Sequence, residues 1–403
     1  MGIELGAKNL YKAYGVPALD LTFADKKSLV DRISGNNLIT FTRSSVGTYV
    51  GADGLIKSAA VNEPRFDHNP VTGECLGLLV EEARTNLVAS PTLSNTLTGV
   101  TNTAETTILG PTGTTINVQK MQCTASTDGH GIFSNASLSS GLAAHSIFVK
   151  KGNHRYVGIE IRSNLGGGYT ALYFDFDTEA ISDGNNTSAT VGFSKYPNGW
   201  YRIFCVIGKN ANAPGFGFRM LGSMDYPSWT ATGDEFVYFY GPQLEAGAFL
   251  TSYIPTSGST VTRAADVASI TGTNFSSWYN NTEGTFVTDA ILAFTQNAGN
   301  PFTFGGVFYT TVTGALRTLG NGGIIDGGLS SSLTSFSKTA VALKSGDFAI
   351  GRGGSITGSS STAYAPTGSQ WAINSSLGSL AVIKRLAYYP VRLPNATLQA
   401  LTQ

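Results

Sequence analysis

Tyr156-Val157-Gly158-Ile159-Glu160-Ile161-Arg162 is the stretch on which the reading of this chain turns. Successive side chains of an extended strand point to opposite faces, so Val157, Ile159 and Ile161 share one face while Tyr156, Glu160 and Arg162 share the other. The pattern returns in Leu172, Phe174 and Phe176, which alternate with Tyr173, Asp175 and Asp177, and again in Phe216, Phe218 and Met220 after Pro214-Gly215. In each case the apolar set is expected inside and the alternating set outside. Turn clusters such as Ser182-Asp183-Gly184-Asn185-Asn186 and Tyr196-Pro197-Asn198-Gly199 punctuate these runs. Many short strands at this spacing predict an all-β chain of tandem antiparallel β-sandwiches (jelly rolls), preceded by a small mixed N-terminal region and closed by one short C-terminal helix.

Outward from that stretch, three regions separate. Residues 1–86 mix short strands with turns and show no independent core, so they are expected to pack on the rest of the chain or on a neighbouring subunit. Within them, Asp53-Gly54 supplies a positive-φ pair suited to a two-residue hairpin. Residues 87–255 carry the clearest alternation. A Ser/Thr/Gly-rich stretch from Pro255 leads into a linker over 256–265, and 266–403 form the last module. There Phe286, Ala290, Leu292 and Phe294 oppose Val287, Ile291 and Ala293, which predicts a central strand covered on both faces. Leu380–Tyr389 reads as the final strand, stopped by Pro390, and Leu393, Thr397, Leu398 and Leu401 mark a helical tail laid on the sheets.

With 403 residues the chain exceeds one ordinary core. Charged residues are only 13%, about half the usual share, so the polar surface is built from Ser, Thr, Asn and Gly. Basic and acidic residues balance at 26 each, without the basic stripe a phosphate-neutralising surface needs, which argues against a nucleic-acid partner. No basic segment followed by an apolar run opens the chain, and no apolar run approaches membrane-spanning length, so neither a secretory signal nor membrane insertion is expected. Cys75, Cys123 and Cys205 are odd in number, and Cys205 sits in the apolar run Ile203–Ile207, which predicts a buried thiol made in a reducing bacterial cytoplasm.

Two stretches resemble a known family. The first runs from Phe41-Thr42-Arg43-Ser44-Ser45-Val46-Gly47-Thr48-Tyr49-Val50 through Ala60-Val61-Asn62-Glu63-Pro64-Arg65-Phe66-Asp67-His68 to Leu78-Leu79-Val80-Glu81-Glu82-Ala83-Arg84-Thr85-Asn86-Leu87. It resembles a segment recurrent in tailed-bacteriophage virion structural proteins of the cyanophage and marine-phage tail-fibre and head-decoration type. The second comprises Tyr196-Pro197-Asn198-Gly199-Trp200-Tyr201-Arg202, Tyr240-Gly241-Pro242-Gln243-Leu244-Glu245-Ala246-Gly247 and Thr251-Ser252-Tyr253-Ile254-Pro255-Thr256. It is similar to the carbohydrate-binding-module-like jelly roll that follows that segment in the same proteins. Through Ala387-Tyr388-Tyr389-Pro390 and its closing helix, the C-terminal region looks like a laminin-G/concanavalin-A-like domain.

The resemblance implies a place on the virion surface, with residues 1–86 contacting other virion proteins, and no catalytic motif. It leads to the expectation of a non-catalytic tail fibre or adhesin, a homotrimer attaching to host surface polysaccharide. The alternatives are a capsid decoration or head-fibre protein, and a virion-borne polysaccharide depolymerase.

Candidate sites follow from chemistry. A depolymerase needs two close carboxyl groups, for which Asp175 and Asp177 are the candidates, although outward carboxylates on a solvated strand are commonplace. None of His68, His130, His145 and His154 sits in a nucleophile-elbow context, and Gly351-Arg352-Gly353-Gly354 lacks the helix and lysine of a phosphate loop. Sugar binding calls for an exposed ring flanked by hydrogen-bonding groups. Trp200 and Trp371 read as core, which leaves Asp225, Tyr226 and Trp229 in one loop and Trp278 with Tyr279 in another. No cofactor is expected. Structural calcium at Asp183-Gly184-Asn185-Asn186 is the nearest candidate, against an ordinary Asx turn.

Overall fold

A computed structural model describes residues 15–403 apart from 94–95, 135, 137, 139–140, 163–167, 185–188, 210–214, 225–227, 295–301, 305–306, 313–314, 321–322, 327–335, 362–369 and 375–378. Among the described residues the chain is predominantly antiparallel β in several sheets, with three short α-helices at Phe23–Lys26, Gly272–Ser276 and Asn395–Leu401.

The alternating stretch lies where its periodicity predicts. Tyr156–Arg162 pairs on one side with Gly168–Asp175 and on the other with Gly215–Leu221, inside a six-stranded sheet. Val157, Ile159, Ile161, Leu172, Phe174, Phe216, Phe218 and Met220 all enter one buried cluster. The same cluster takes Ile147, Val149, Ile203, Cys205, Val237 and Phe239 from a second six-stranded sheet, built around Gly141–Lys151 and Phe236–Ala246. Phe218 and Phe239 meet across the two sheets with ring centroids 5.7 Å apart. The thiol of Cys205 is buried, as its apolar run predicts.

The alternate face is less solvated than periodicity suggests. Tyr173, Glu160 and Asp175 are each only 3% exposed. The two carboxylates are tolerated there because each has a guanidinium partner, Arg219 for Glu160 and Arg155 for Asp175. Trp200 and Trp371 are fully buried, and Trp200 Nε1 donates to Leu109 O at 2.8 Å. Asn198 and Gly199 take positive φ to turn the chain between the strands Thr190–Tyr196 and Trp200–Lys209.

The last third supplies an eight-stranded and a seven-stranded sheet. Glu283–Phe294 lies between Ser337–Lys344 and Ser379–Tyr389, a central position. Its two faces enter different clusters, Phe286 and Ala290 on one side and Val287 on the other. The side chains of Leu292, Ala293 and Phe294 lie outside the described residues. Residues 1–86 contribute to the same two sheets: Leu19–Leu21 and Cys75–Glu81 both pair with Ser379–Tyr389, Arg65–His68 pairs with Cys75–Glu81, and Thr40–Thr42 pairs with Val267–Thr271. Strands within residues 1–86 therefore share ladders with the C-terminal third, whereas the next strand, Thr96–Thr98, pairs with His130–Phe133 in a central sheet.

Two local expectations change. The Asp53-Gly54 turn is a five-residue loop between Gly47–Val50 and Ile56–Ala59, and only Gly54 takes positive φ. The stretch 256–265 is not a free linker. Thr256 Oγ1 donates to Val88 O, Gly258 N to Ala89 O, and Val261–Arg263 forms a short ladder with Arg84–Asn86.

The C-terminal helix forms as its apolar spacing predicts. Leu393 and Leu398 bury against Ala340, Ala342, Ala349, Ala387 and Tyr389, where small alanine side chains let the helix approach the sheet closely. Leu398→Ala is expected to cost roughly 2–5 kcal/mol, the range for a buried Leu→Ala deletion. Urea unfolding followed by tryptophan fluorescence checks this value.

Candidate functional site: a buried ionic junction

Charge is scarce in this chain, yet five ionised groups converge where residues 40–86 meet residues 240–266. Arg43, Arg65, Arg263, Glu81 and Asp266 are essentially unexposed. Each sits just at the end of a strand or within one, so the sheets themselves carry the groups inward.

Asp266 is the hub. Its Oδ1 accepts from Arg43 Nη1 at 3.1 Å, and its Oδ2 accepts from Arg65 Nη2 and from the Glu81 backbone N–H at 2.8 Å. Glu81 takes the Ser252 N–H and hydroxyl, both at 2.7 Å, and pairs with Arg65 at 2.8 Å and Arg263 at 3.4 Å. Arg43 also donates to the carbonyls of Ser45, Glu63, Ala59 and Ala60, which ties the loop after its own strand to the segment 59–63. Arg65 donates to Thr48 O at 2.8 Å and Arg263 to Glu82 O at 2.7 Å.

A second polar layer continues the seam. Glu245 accepts from Thr251 N at 2.8 Å, Thr251 Oγ1 at 2.6 Å and Gln243 Nε2 at 3.1 Å. Asn86 donates to Pro242 O and Ile254 O and accepts from Val88 N and Leu244 N. All four hydrogen-bonding positions of one buried amide are used, which pins three chain segments at once.

Three guanidinium groups face two carboxylates, and burial alone would disfavour every charge. Burial pushes the Glu81 carboxyl up, but Arg263 and Arg65, with the Ser252 donors, outweigh it and hold Glu81 down at about 2. Burial likewise opposes the Arg65 charge, and Glu81 and Asp266 overcome it, so Arg65 is held more firmly protonated than usual. A carboxylate so fully donated to is no proton acceptor near neutral pH, and arginine does not give up its proton. The junction's chemistry is that of a fastening between segments.

Beside it lies a cleft of about 270 Å³ whose lining includes Tyr49, Asp67, Glu81, Ser194, Tyr196 and Arg202. Asp67 is half-buried, and its Oδ1 accepts from Val50 N at 2.7 Å. Burial, with the Glu81 charge adding to it, pushes the Asp67 carboxyl up to about 6 against the Val50 N–H and Arg65.

The residues singled out from sequence lie elsewhere. Trp229 is half-buried, with its ring stacked on His154 at 4.8 Å and edge-on to His130 at 5.0 Å. Asp225 and Tyr226 lie outside the described residues. Trp278 is only 7% exposed and Tyr279 packs on the same core, within an aromatic group completed by Phe275, Phe286 and Tyr388. Trp278 is thus largely enclosed, whereas Tyr279 stays partly exposed, just after the short helix Gly272–Ser276. Asp175 accepts both Arg155 Nε and Nη2, at 2.8 and 2.7 Å, plus the Thr178 hydroxyl, and Arg155 chiefly holds it well below the usual carboxylate range. Asp177 pairs with Lys151 and Arg155. Asp175, held ionised in this way, is not poised as a general acid.

His68, His130 and His154 face backbone carbonyls of Val50, Gly99 and Leu221 at 2.7–2.9 Å, and His145 is buried in the module interior. Gly353 and Gly354 turn a hairpin at positive φ. No cluster of three or more metal-ligating side chains occurs among the described residues. Asn185 and Asn186 of the calcium candidate lie outside them.

Sequence reasoning passed over the junction arginines, although Arg43, Arg65, Glu81, Asn86, Glu245 and Ser252 all stand in the two stretches quoted for their resemblance. The available signal was a charged residue at the end of an apolar strand, as in Leu78-Leu79-Val80-Glu81, in a chain with few charges to spare. Compared with protein-family models and with curated protein sequences, the chain matches none.

Two predictions follow from the opposite shifts. Glu81 has a folded-state pKa below its unfolded value, so its contribution is present above about pH 4.5 and is lost as pH falls towards about 2. Glu81→Gln is expected to cost about 3–5 kcal/mol at pH 7, because Arg65 and Arg263 lose their counter-charge in a buried site. Asp67 is raised instead, so its ionisation lowers stability progressively from about pH 4 to about pH 6. Asp67→Asn is expected to stabilise by about 1–2 kcal/mol at pH 7, after discounting for its partial exposure, and by almost nothing at pH 4. Denaturant unfolding of both variants across pH 3–8 measures each effect.

Proposed function

We propose that this chain is a non-catalytic structural protein of a tailed-phage particle surface, a tail fibre or adhesin that presents sandwich modules towards host glycans. In this reading the two six-stranded sheets, which share one core, form the carbohydrate-binding-module-like jelly roll. The eight- and seven-stranded sheets, which share another, form the laminin-G/concanavalin-A-like module. The N-terminal region contributes strands to the second module and leaves its loops for contact with other virion proteins.

The observation that carries the proposal is the ionic junction. Arg43, Arg65, Glu81 and Ser252 of the phage-like stretches converge with Arg263 and Asp266 on a clamp whose carboxylates are saturated by donors, as suits a part that must hold modules in fixed relation under load and perform no turnover. Assembly as a homotrimer would multiply weak glycan contacts into avidity. The depolymerase alternative is disfavoured by the Arg155 grip on Asp175, which keeps that carboxyl ionised.

The test is fractionation. The protein should sediment with intact particles in fixed stoichiometry, with a few to a few dozen copies for a fibre and hundreds for capsid decoration. Its confinement to the soluble lysate overturns the proposal. Release of reducing ends from host polysaccharide, abolished by Asp175→Asn, would favour the depolymerase instead.

A further inference from the structure

The cleft beside the junction has a lining whose charges select a class of ligand. Glu81 is saturated by Arg65, Arg263 and Ser252. Arg202 donates to Thr251 O at 3.0 Å and Ser146 Oγ at 3.1 Å and lies 5.3 Å from the Phe148 ring centroid, so it stays in place as a fixed positive charge. A cationic ligand would meet Arg202, and an anionic one would meet Asp67, since the charge of Glu81 is offset by its two guanidinium partners. An uncharged ligand meets neither penalty.

The remaining lining is hydroxyl-bearing and apolar together, with Tyr49, Ser194, Asp67 and Tyr196 (its hydroxyl bonded to Arg202) among its polar members and Leu250 and Leu380 among its apolar ones. A ring with C–H faces and hydroxyl edges matches both halves of such a wall. The volume, about 270 Å³, lies at the small end of ligand cavities, which run from roughly 300 Å³ upward, and so suits one ring and not a chain of them. Asp67 supplies the acceptor: its Oδ1 accepts from Val50 N–H and the His68 N–H also lies beside the carboxyl, which can accept several hydrogen bonds in all.

We propose that this cleft, formed by the hairpin Gly47–Ala59, the strand carrying Asp67, the edge strand Thr190–Tyr196 and the loop 250–253, binds a single neutral sugar residue. The inference rests on the reading of the chain as a glycan-facing protein, extends it to a specific place, and is distinct from the tryptophan loops. It can fail while particle association stands, because the two are read by different measurements.

The experiment uses the full chain. Saturation-transfer NMR and calorimetry are run with glucose, galactose, mannose and N-acetylglucosamine as neutral probes, and with choline and inorganic phosphate as charged ones. At least one neutral sugar is expected to bind, and its affinity should fall at least tenfold in Ser194→Trp, which fills the cleft from an exposed edge-strand position. Asp67→Ala should give the same loss. Should that variant misfold by circular dichroism, Ser194→Trp alone decides. Absence of binding by all four sugars, tighter binding of choline or phosphate, or sugar binding that survives Ser194→Trp overturns the proposal.

Discussion

Two carboxylates and three guanidinium groups are withdrawn from water together around Asp266, and the arrangement of the whole chain depends on that event. Taking any one of these charges out of solvent alone costs several kcal/mol, and only simultaneous pairing with good hydrogen-bond geometry offsets it. The partners come from far apart: Arg43 and Asp266 are separated by 223 residues, Arg65 and Ser252 by 187, Glu81 and Ser252 by 171. A displaced segment would leave charges buried without partners. The junction therefore contributes more to a single arrangement of the sheets than to the depth of the stability well, which well-packed apolar residues could supply as effectively.

The two cores on either side of the junction are stabilised in the ordinary way, by apolar faces closing on each other. What the junction adds is continuity between them. The first ladder of residues 84–86 continues into Val261–Arg263, and Asn86 reaches Pro242 and Ile254. The chain thus leaves the C-terminal sheets at Glu81, passes through the junction into the central sheets, and returns through it at Arg263. Entry and exit are fastened at one point, so a force applied to one module is transmitted through charge-assisted hydrogen bonds and not through a free linker.

The same crowding that makes the junction inert creates the cleft beside it. The carboxylates drawn into the seam are paired by near neighbours, although the Nε groups of Arg65 and Arg263 make no hydrogen bond, and the hairpin, the edge strand and the 250–253 loop do not close over Asp67 completely. Its carboxyl is left on a partly dry wall, with its titration moved up to about 6. Glu81, a neighbour in the same lining, is moved the opposite way because cations touch it. Two carboxyl groups of similar intrinsic acidity are pushed apart by how far nearby guanidinium groups and donors offset the burial of each.

Periodicity in the sequence determined much of the fold. Alternation at Val157–Ile161, Leu172–Phe176 and Phe216–Met220 placed the interior of the central sheets, the doubly apolar run at 286–294 placed a central strand, and Leu393, Leu398 and Leu401 placed the closing helix. These are local signals: a residue's face is decided by its neighbours along the strand. The sequence could not decide which carboxylates are solvated, since Asp175 and Glu160 look outward by alternation and are buried because Arg155 and Arg219 happen to cover them. Nor could it decide that Trp278 and Tyr279 turn into an aromatic core, or that Arg43, Arg65, Glu81, Arg263 and Asp266 meet. Pairing of charges across two hundred residues leaves no period in the chain; it is decided only when the sheets assemble and the desolvated groups find, or fail to find, a partner.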